Sequence, residues 1–141
     1  MKAHRPKMQP FSDAARRKDY ETRKKNGTLR VSYAELTFVA YLRSRFGTED
    51  IVHHPPMLRG THHQPDVWIA SLDLYVEFDG VYWHGLDRPY EQLSTLIRKK
   101  YDRDRRFDAH CAKHGIRLVR VKDVDWTAMS TSQRNQWCDS L

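Results

Sequence analysis

The sequence predicts a mixed α/β domain over residues 31–141, preceded by a basic N-terminal arm over residues 1–30. The predicted elements follow the order helix, three strands, helix, strand, helix, which is typical of layered α/β structures. The chain has 141 residues, 39% of them hydrophobic and 30% charged, which suits one soluble domain with a modest core. Its net charge of +7 is carried entirely by the arm, which sets the two regions apart.

The first helix is predicted from a capping pattern. Ser32 is followed three positions later by Glu35, which is the spacing of a capping box. The helix runs to about Phe46, where Gly47 ends it. Its apolar stripe consists of Leu36, Val39, Leu42 and Phe46.

Three short strands are predicted between residues 51 and 79. The first is weak and covers residues 51–52, and a loop over residues 53–64 follows it. The second strand opens at Asp66, and a turn through Ser71 leads into the third, so these two strands pair as a hairpin. The third strand alternates apolar residues at Leu72, Leu74, Val76 and Phe78.

A long helix, a strand and a last helix complete the domain. The long helix begins at residues 89–90 and extends to about His114, where Gly115 ends it. A strand follows over residues 116–121, and the last helix covers residues 125–138. The apolar stripe of the long helix consists of Leu93, Ile97, Tyr101, Phe107 and Cys111.

Carboxylates gather around the predicted hairpin. Side chains alternate between the two faces of a strand, so Glu77 and Asp79 point away from the apolar face. The hairpin brings Asp66 to the same end of the sheet, with His84 just beyond. Repelling carboxylates seldom cluster without a cation. The segment over residues 65–85 therefore predicts a metal-dependent active site.

The apolar stripe of the long helix contains one acid. Asp104 lies three residues from both Tyr101 and Phe107, and burying an unpaired carboxylate is costly. An ion pair with Arg103 or Arg106 is the ordinary explanation. Because the stripe must pack on the sheet that carries the clustered acids, a role of Asp104 in the active site is favoured.

The basic arm indicates a nucleic-acid partner. Residues 1–30 carry ten Lys or Arg against three acids, whereas residues 31–141 carry fifteen of each sign. Cations that neutralise phosphates release counterions, although a solubilising tail is the alternative. The arm is predicted to form a short helix beginning at residue 12 or 13 and ending near residues 26–27. The phosphate-binding candidates on it are Arg16, Arg17, Lys18, Lys24 and Lys25.

Other features bear on the compartment and on zinc. No apolar run is long enough to span a bilayer, and the N-terminus lacks the apolar segment of a secretory signal. The two cysteines do not suggest a disulfide framework, so we expect a cytoplasmic protein with no membrane partner. Histidine pairs at 53–54, 62–63 and 110/114 lack a complete four-ligand spacing, which favours solvated histidines over zinc ligands.

The motifs together resemble a known family. Glu35 in a helix, the strand start Pro65-Asp66, the segment GVYWH at 80–84, RDRR at 103–106 and GIRLV at 115–119 resemble the very-short-patch-repair endonucleases. They resemble more closely the related EDxHD homing endonucleases. Both belong to the PD-(D/E)xK, restriction-endonuclease-like superfamily. The resemblance covers about residues 32–123 and implies a core of helix, three-stranded β-meander, helix and strand, with the arm and C-terminal helix outside it.

The resemblance also implies a site, residue by residue. Asp66 matches the metal-binding Asp, His84 the catalytic His, Asp104 the final Asp, and Glu35 the helical Glu, for which capping is the alternative role. Glu77 stands at the second acid of the superfamily motif and is predicted to bind metal with Asp66. The usual lysine of that motif is absent. The implied cofactor is Mg²⁺, with Mn²⁺ as the alternative.

The implied substrate is double-stranded DNA. Tyr82 and Trp83 match aromatics that wedge into the DNA stack in the repair family, although core packing is the alternative for Trp83. Arg103 and Arg106 are candidate phosphate contacts. The structural zinc ligands of the repair enzymes are missing, which favours a homing or mobile-element endonuclease over a mismatch-repair nicking enzyme. A non-catalytic nucleic-acid-binding module is the other alternative, and a homodimer or fused DNA-binding partner is expected because so small a domain reads few base pairs.

Overall fold

The capping signals of the first helix are confirmed in the computed structural model, which describes residues 32–141. Helix α1 spans Tyr33–Phe46, and the Ser32 hydroxyl accepts a hydrogen bond from the Glu35 backbone N–H at 3.1 Å. The second half of the capping box is wrong, because the Glu35 side chain contacts two histidines instead. The predicted arm helix and its candidates Arg16, Arg17, Lys18, Lys24 and Lys25 lie outside the described residues.

Four strands form one mixed sheet in the order β1-β2-β3-β4. The first three pair antiparallel as the predicted meander, and the fourth pairs parallel to the third. The predicted turn through Ser71 is confirmed, and it ends with Asp73 in the left-handed conformation at φ 46°. The strands are β1 Ile51–His53, β2 Val67–Ile69, β3 Leu74–Asp79 and β4 Leu118–Lys122.

The later helices differ from the prediction at their ends. Helix α2 spans Thr95–Lys113 and starts after Ser94, whose side chain caps it, rather than at residues 89–90. The predicted last helix is two helices, α3 Asp123–Ala128 and α4 Thr131–Asp139. Ser130 separates them because it forms a full capping box with Gln133. Among the described helices, none combines the length and the apolar character that crossing a membrane requires.

Both faces of the sheet are covered. On one face, α1, α3 and α4 pack aromatic and aliphatic side chains against the sheet, with Phe38 and Trp126 at the centre. On the other face, α2 packs Phe107 and Cys111 against Tyr75. All six residues of β3 are therefore buried, including the acidic side that points away from the main core. The predicted stripe of α1 was partly wrong, because Leu36 and Phe46 are only half-buried.

Candidate active site

The α2 side of strand β3 carries two buried acids. Glu77 and Asp79 are 2% and 1% exposed, and they lie on the same face because they are two residues apart. Helix α2 brings Asp104 to this face, and the turn after β3 brings His84. The start of β2 brings Asp66. The segments that the sequence predicts to meet do meet on one side of the sheet.

Asp66 and Glu77 form a tightly linked pair of acids. The backbone N–H of Asp66 donates to Oε1 of Glu77 at 3.0 Å, and the backbone N–H of Phe78 donates to Oδ2 of Asp66 at 2.7 Å. Burial, followed by the negative charges of Glu77 and Glu35, raises the pKa of Asp66 well above its ordinary value. Negative charge is thus held here at a cost that a bound cation would relieve.

His84 and Asp104 form the second pair. Nδ1 of His84 lies 2.6 Å from Oδ2 of Asp104 and 3.5 Å from Oδ1 of Asp79. Burial raises the pKa of Asp104, but the hydrogen bond and the charge of His84 outweigh it, so this pKa is lowered. The predicted partner of Asp104 is therefore His84 and not Arg103 or Arg106. Because a carboxylate only accepts, Nδ1 carries the proton and Nε2 remains available.

The turn that carries His84 is fastened at several points. The His84 backbone N–H donates to the carbonyl of Gly80 at 3.0 Å, and the Val81 N–H donates to the Asp123 carboxylate at 3.2 Å. Gly85 has φ +68° and packs so closely on α2 that a Cβ atom would lie 2.8 Å from Leu93. The imidazole is therefore positioned by both the sheet and α2.

Arg120 is a central residue of the site that the sequence reasoning missed. It pairs with Glu77 in the parallel register of β3 and β4. Its Nη1 lies 3.0 Å and 3.1 Å from the two Asp79 oxygens and 3.9 Å from Oε2 of Glu77, and its Nε donates to Asp108 at 2.8 Å. Asp79 is thus an ion-paired residue. The available signal was an arginine within the apolar strand LVRV.

Glu35 lies at the other end of the acidic group and binds two histidines. Its Oε2 lies 2.7 Å from Nε2 of His53 and 3.1 Å from Nε2 of His54. Burial raises the pKa of Glu35, but the hydrogen bonds from the two imidazoles outweigh it and lower this pKa to about 2. The expectation of solvated histidines is wrong for His53, which is 9% exposed.

A third histidine contact was also missed. Nε2 of His63 lies 3.1 Å from Oε2 of Glu77, and its ring packs on Phe107 with centroids 4.0 Å apart. His62, in contrast, is exposed as expected. The loop over residues 53–64 therefore delivers one imidazole to the acid that is predicted to bind metal, which local sequence patterns could not indicate.

An exposed aromatic and basic rim borders the site. Tyr82 and Trp83 are 54% and 62% exposed and meet edge to face, so the alternative of core packing for Trp83 is wrong. Trp83 lines an open cavity of about 600 Å³ together with residues of α2. Arg103 and Arg106 are exposed on this rim. The other lining residues are Leu96, Ile97, Lys99, Lys100 and Asp102.

We compared the chain with protein-family models, with curated proteins and with solved structures, and none of the three comparisons found a match.

Proposed function

We propose that this chain is a metal-dependent endonuclease that hydrolyses phosphodiester bonds in double-stranded DNA. The observation that carries the proposal is the approach of the Asp66–Glu77 pair and the His84–Asp104 pair on one face of the sheet. An acid pair supplies cation ligands, and an oriented imidazole supplies a proton acceptor. Hydrolysis of a phosphodiester uses both.

Asp66 and Glu77 would hold Mg²⁺, or Mn²⁺ as the alternative ion. Carboxylate oxygens are the ligands that these ions prefer, and the raised pKa of Asp66 indicates excess negative charge. Asp66 fits better than Glu77, since both Glu77 oxygens already accept hydrogen bonds, from Asp66 and from His63. When bound, the ion supplies positive charge at the phosphate and polarises water.

His84 would hold and move the proton. Its Nδ1 is committed to Asp104 at 2.6 Å, so Nε2 accepts the proton of the attacking water. Asp104 then stabilises the imidazolium, since an opposite charge within hydrogen-bond distance favours the charged form. In this mechanism Glu35 stays outside the proton transfer, because its carboxylate is occupied by two imidazoles.

The order of elements supports a restriction-endonuclease-like core. Helix α1, the antiparallel meander β1-β2-β3, helix α2 and the parallel strand β4 follow the order that the family resemblance implies. The exposed Tyr82 and Trp83 would stack on bases, and Arg103 and Arg106 would contact phosphates. We retain the homing or mobile-element type, acting as a homodimer or with a fused DNA-binding partner, as the form of this proposal.

A non-catalytic DNA-binding module is the second candidate. It is favoured by Arg120, whose guanidinium already lies beside Asp79, Glu77 and Asp108. A protein cation in that position neutralises part of the negative charge that would otherwise attract a metal ion. The two candidates make opposite predictions for cleavage.

Plasmid cleavage by the full chain tests the proposal. Wild type is incubated with supercoiled plasmid in Mg²⁺, in Mn²⁺ and in EDTA, and binding to a labelled duplex is measured in parallel. We expect metal-dependent cleavage that falls about 10²–10⁴-fold in His84→Ala and is lost in Asp66→Asn, while both variants still bind the duplex. The matched controls are the exposed residues His62→Ala and Asp125→Asn, which should cleave like wild type.

Two results would contradict the endonuclease. Duplex binding without cleavage in either metal supports the module. Cleavage that survives Asp66→Asn at the wild-type rate removes the assigned site.

A further inference from the structure

We infer that Glu35, His53 and His54 form a separate binding site for a divalent transition-metal ion of the zinc class. Each residue offers one ligand atom, and the three atoms lie within 4.8 Å of one another, which no other trio of potential ligands does among residues 32–141. This inference stands apart from the proposed endonuclease, because it requires only that the folded chain bind the metal.

The distances suit a metal ion after a small adjustment. Zinc binds His nitrogen and carboxylate oxygen at about 2.0–2.2 Å, so tetrahedral ligands lie about 3.3 Å apart. The Glu35 oxygen is 2.7 Å from the His53 nitrogen and 3.1 Å from the His54 nitrogen. An ion replacing the two shared protons would move these atoms apart by a few tenths of an ångström to somewhat more than half an ångström.

The chain holds these side chains in place before any ion binds. His54 has φ 53°, a left-handed conformation that a non-glycine residue adopts at a cost of about 1–3 kcal/mol and that is concentrated at functional sites. Its backbone N–H donates to the Asp66 carbonyl at 2.8 Å, and its carbonyl accepts from Gln64 at 3.2 Å. His53 is fixed in strand β1 opposite Val67.

The ligand set selects the ion. Two imidazoles and one carboxylate suit zinc and its neighbours, whereas Mg²⁺ prefers oxygen ligands. Three protein ligands leave a fourth position for water, as in open zinc sites. The His54 side chain is 36% exposed while that of His53 is 6% exposed, so the open position lies on the His54 side.

Titration with Co²⁺ alone, followed by its visible absorption, measures this site directly. We expect the folded full chain to bind one equivalent of Co²⁺ in a site with few ligands, to release it to Zn²⁺ and to retain it in excess Mg²⁺. Glu35→Gln and His54→Ala should each weaken binding by about tenfold or more. Circular dichroism verifies that both variants are folded, and His54→Ala carries the test if Glu35→Gln unfolds.

A second histidine pair provides the matched control. The rings of His110 and His114 lie on one helix with centroids 4.4 Å apart, and neither contacts Glu35. The double variant His110→Ala/His114→Ala should bind Co²⁺ like wild type. The inference is overturned if folded wild type binds no Co²⁺, or if the ion is lost in this control and kept in His54→Ala. Asp66→Asn should abolish cleavage and keep the Co²⁺ spectrum, which separates failure of this site from failure of the endonuclease.

Discussion

The two faces of the sheet are buried to a similar degree but are built from different chemistry. On the α1 face, aromatic rings such as Phe38 and Trp126 pack with almost no polar atoms. On the α2 face, Glu77, Asp79 and Asp104 are each 1–2% exposed and depend on charged or hydrogen-bonding partners. Apolar burial stabilises the first face directly, whereas the second face must offset the desolvation of its charges. One face therefore supports the fold, and the other holds the chemistry at some expense to it.

Two tryptophans give the largest contrast. Trp126 is 2% exposed in the apolar face, and Trp83 is 62% exposed on the rim. We expect Trp126→Ala to lower the free energy of unfolding by about 3–5 kcal/mol. Trp83→Ala should lower it by less than about 0.5 kcal/mol yet weaken DNA binding by roughly 1–3 kcal/mol. Urea denaturation and fluorescence anisotropy measure the two effects, and equal losses of stability would contradict the comparison.

Removal of Arg120 should break the acidic face nearly as severely. Arg120→Met leaves Asp79 and Asp108 without their buried cation, and breaking such a pair costs about 3–5 kcal/mol. Adding Asp79→Asn to Arg120→Met should recover part of the loss, because one unpaired charge is removed. A double-mutant cycle from denaturation data measures the coupling. Strict additivity would mean that the ion pair contributes nothing.

The pH dependence of stability should have opposite signs at two acids. The pKa of Glu35 is lowered from 4.5 to about 2, so its contribution of about 3 kcal/mol is full above pH 4.5 and is lost as the pH falls towards 2. The pKa of Asp66 is raised, so its penalty applies at neutral pH and is relieved as the pH falls through that raised value.

Variants separate these two contributions. Unfolding free energies between pH 2.5 and pH 7 should show that Glu35→Gln destabilises at neutral pH and flattens the acid limb. Asp66→Asn should stabilise the metal-free protein at neutral pH. Glu49→Gln, at an exposed position, is the control and should leave the curve unchanged. An unchanged acid limb in Glu35→Gln would show that its imidazole contacts do not stabilise the fold.

Two glycines give the smallest and most local test. Gly85 has φ +68° and touches Leu93 and Ile97, whereas Gly47 has φ +99° with no atom within 4 Å of a Cβ position. Gly47→Ala should cost about 1–2 kcal/mol from backbone strain alone. Gly85→Ala should cost more, because α2 must shift, and it should also slow cleavage by moving His84. Equal costs would indicate that the close packing on α2 is unimportant.

The elements set by local signals were predictable from the sequence. Ser32 and Gly47 bound α1, and the alternation of Leu74, Val76 and Phe78 marks β3, because capping and period-two burial involve neighbouring residues only. The division of the last helix was also readable in principle. Ser130 and Gln133 have the capping-box spacing, and the prediction passed over them.

The pairing of the site residues was only partly predictable. The meeting of Asp66 and Glu77 follows from a hairpin, which is a short-range arrangement. Arg120 depends on which strand β4 joins, in which direction and in which register, and local patterns specify none of these. The burial of His53 similarly depends on α1 lying across β1. Partners from distant segments decided the charge balance of the site, and these were the ones missed.

Asp123 changes what should be regarded as the smallest working unit of this chain. It belongs to α3, outside the span that resembles the endonucleases, yet its carboxylate accepts the Val81 N–H in the turn that leads to His84. A protein shortened after β4 would keep every residue assigned to cleavage and lose an anchor of its imidazole. The C-terminal helices therefore act as a foundation for the active site, and a truncated enzyme should be sluggish even where it remains folded.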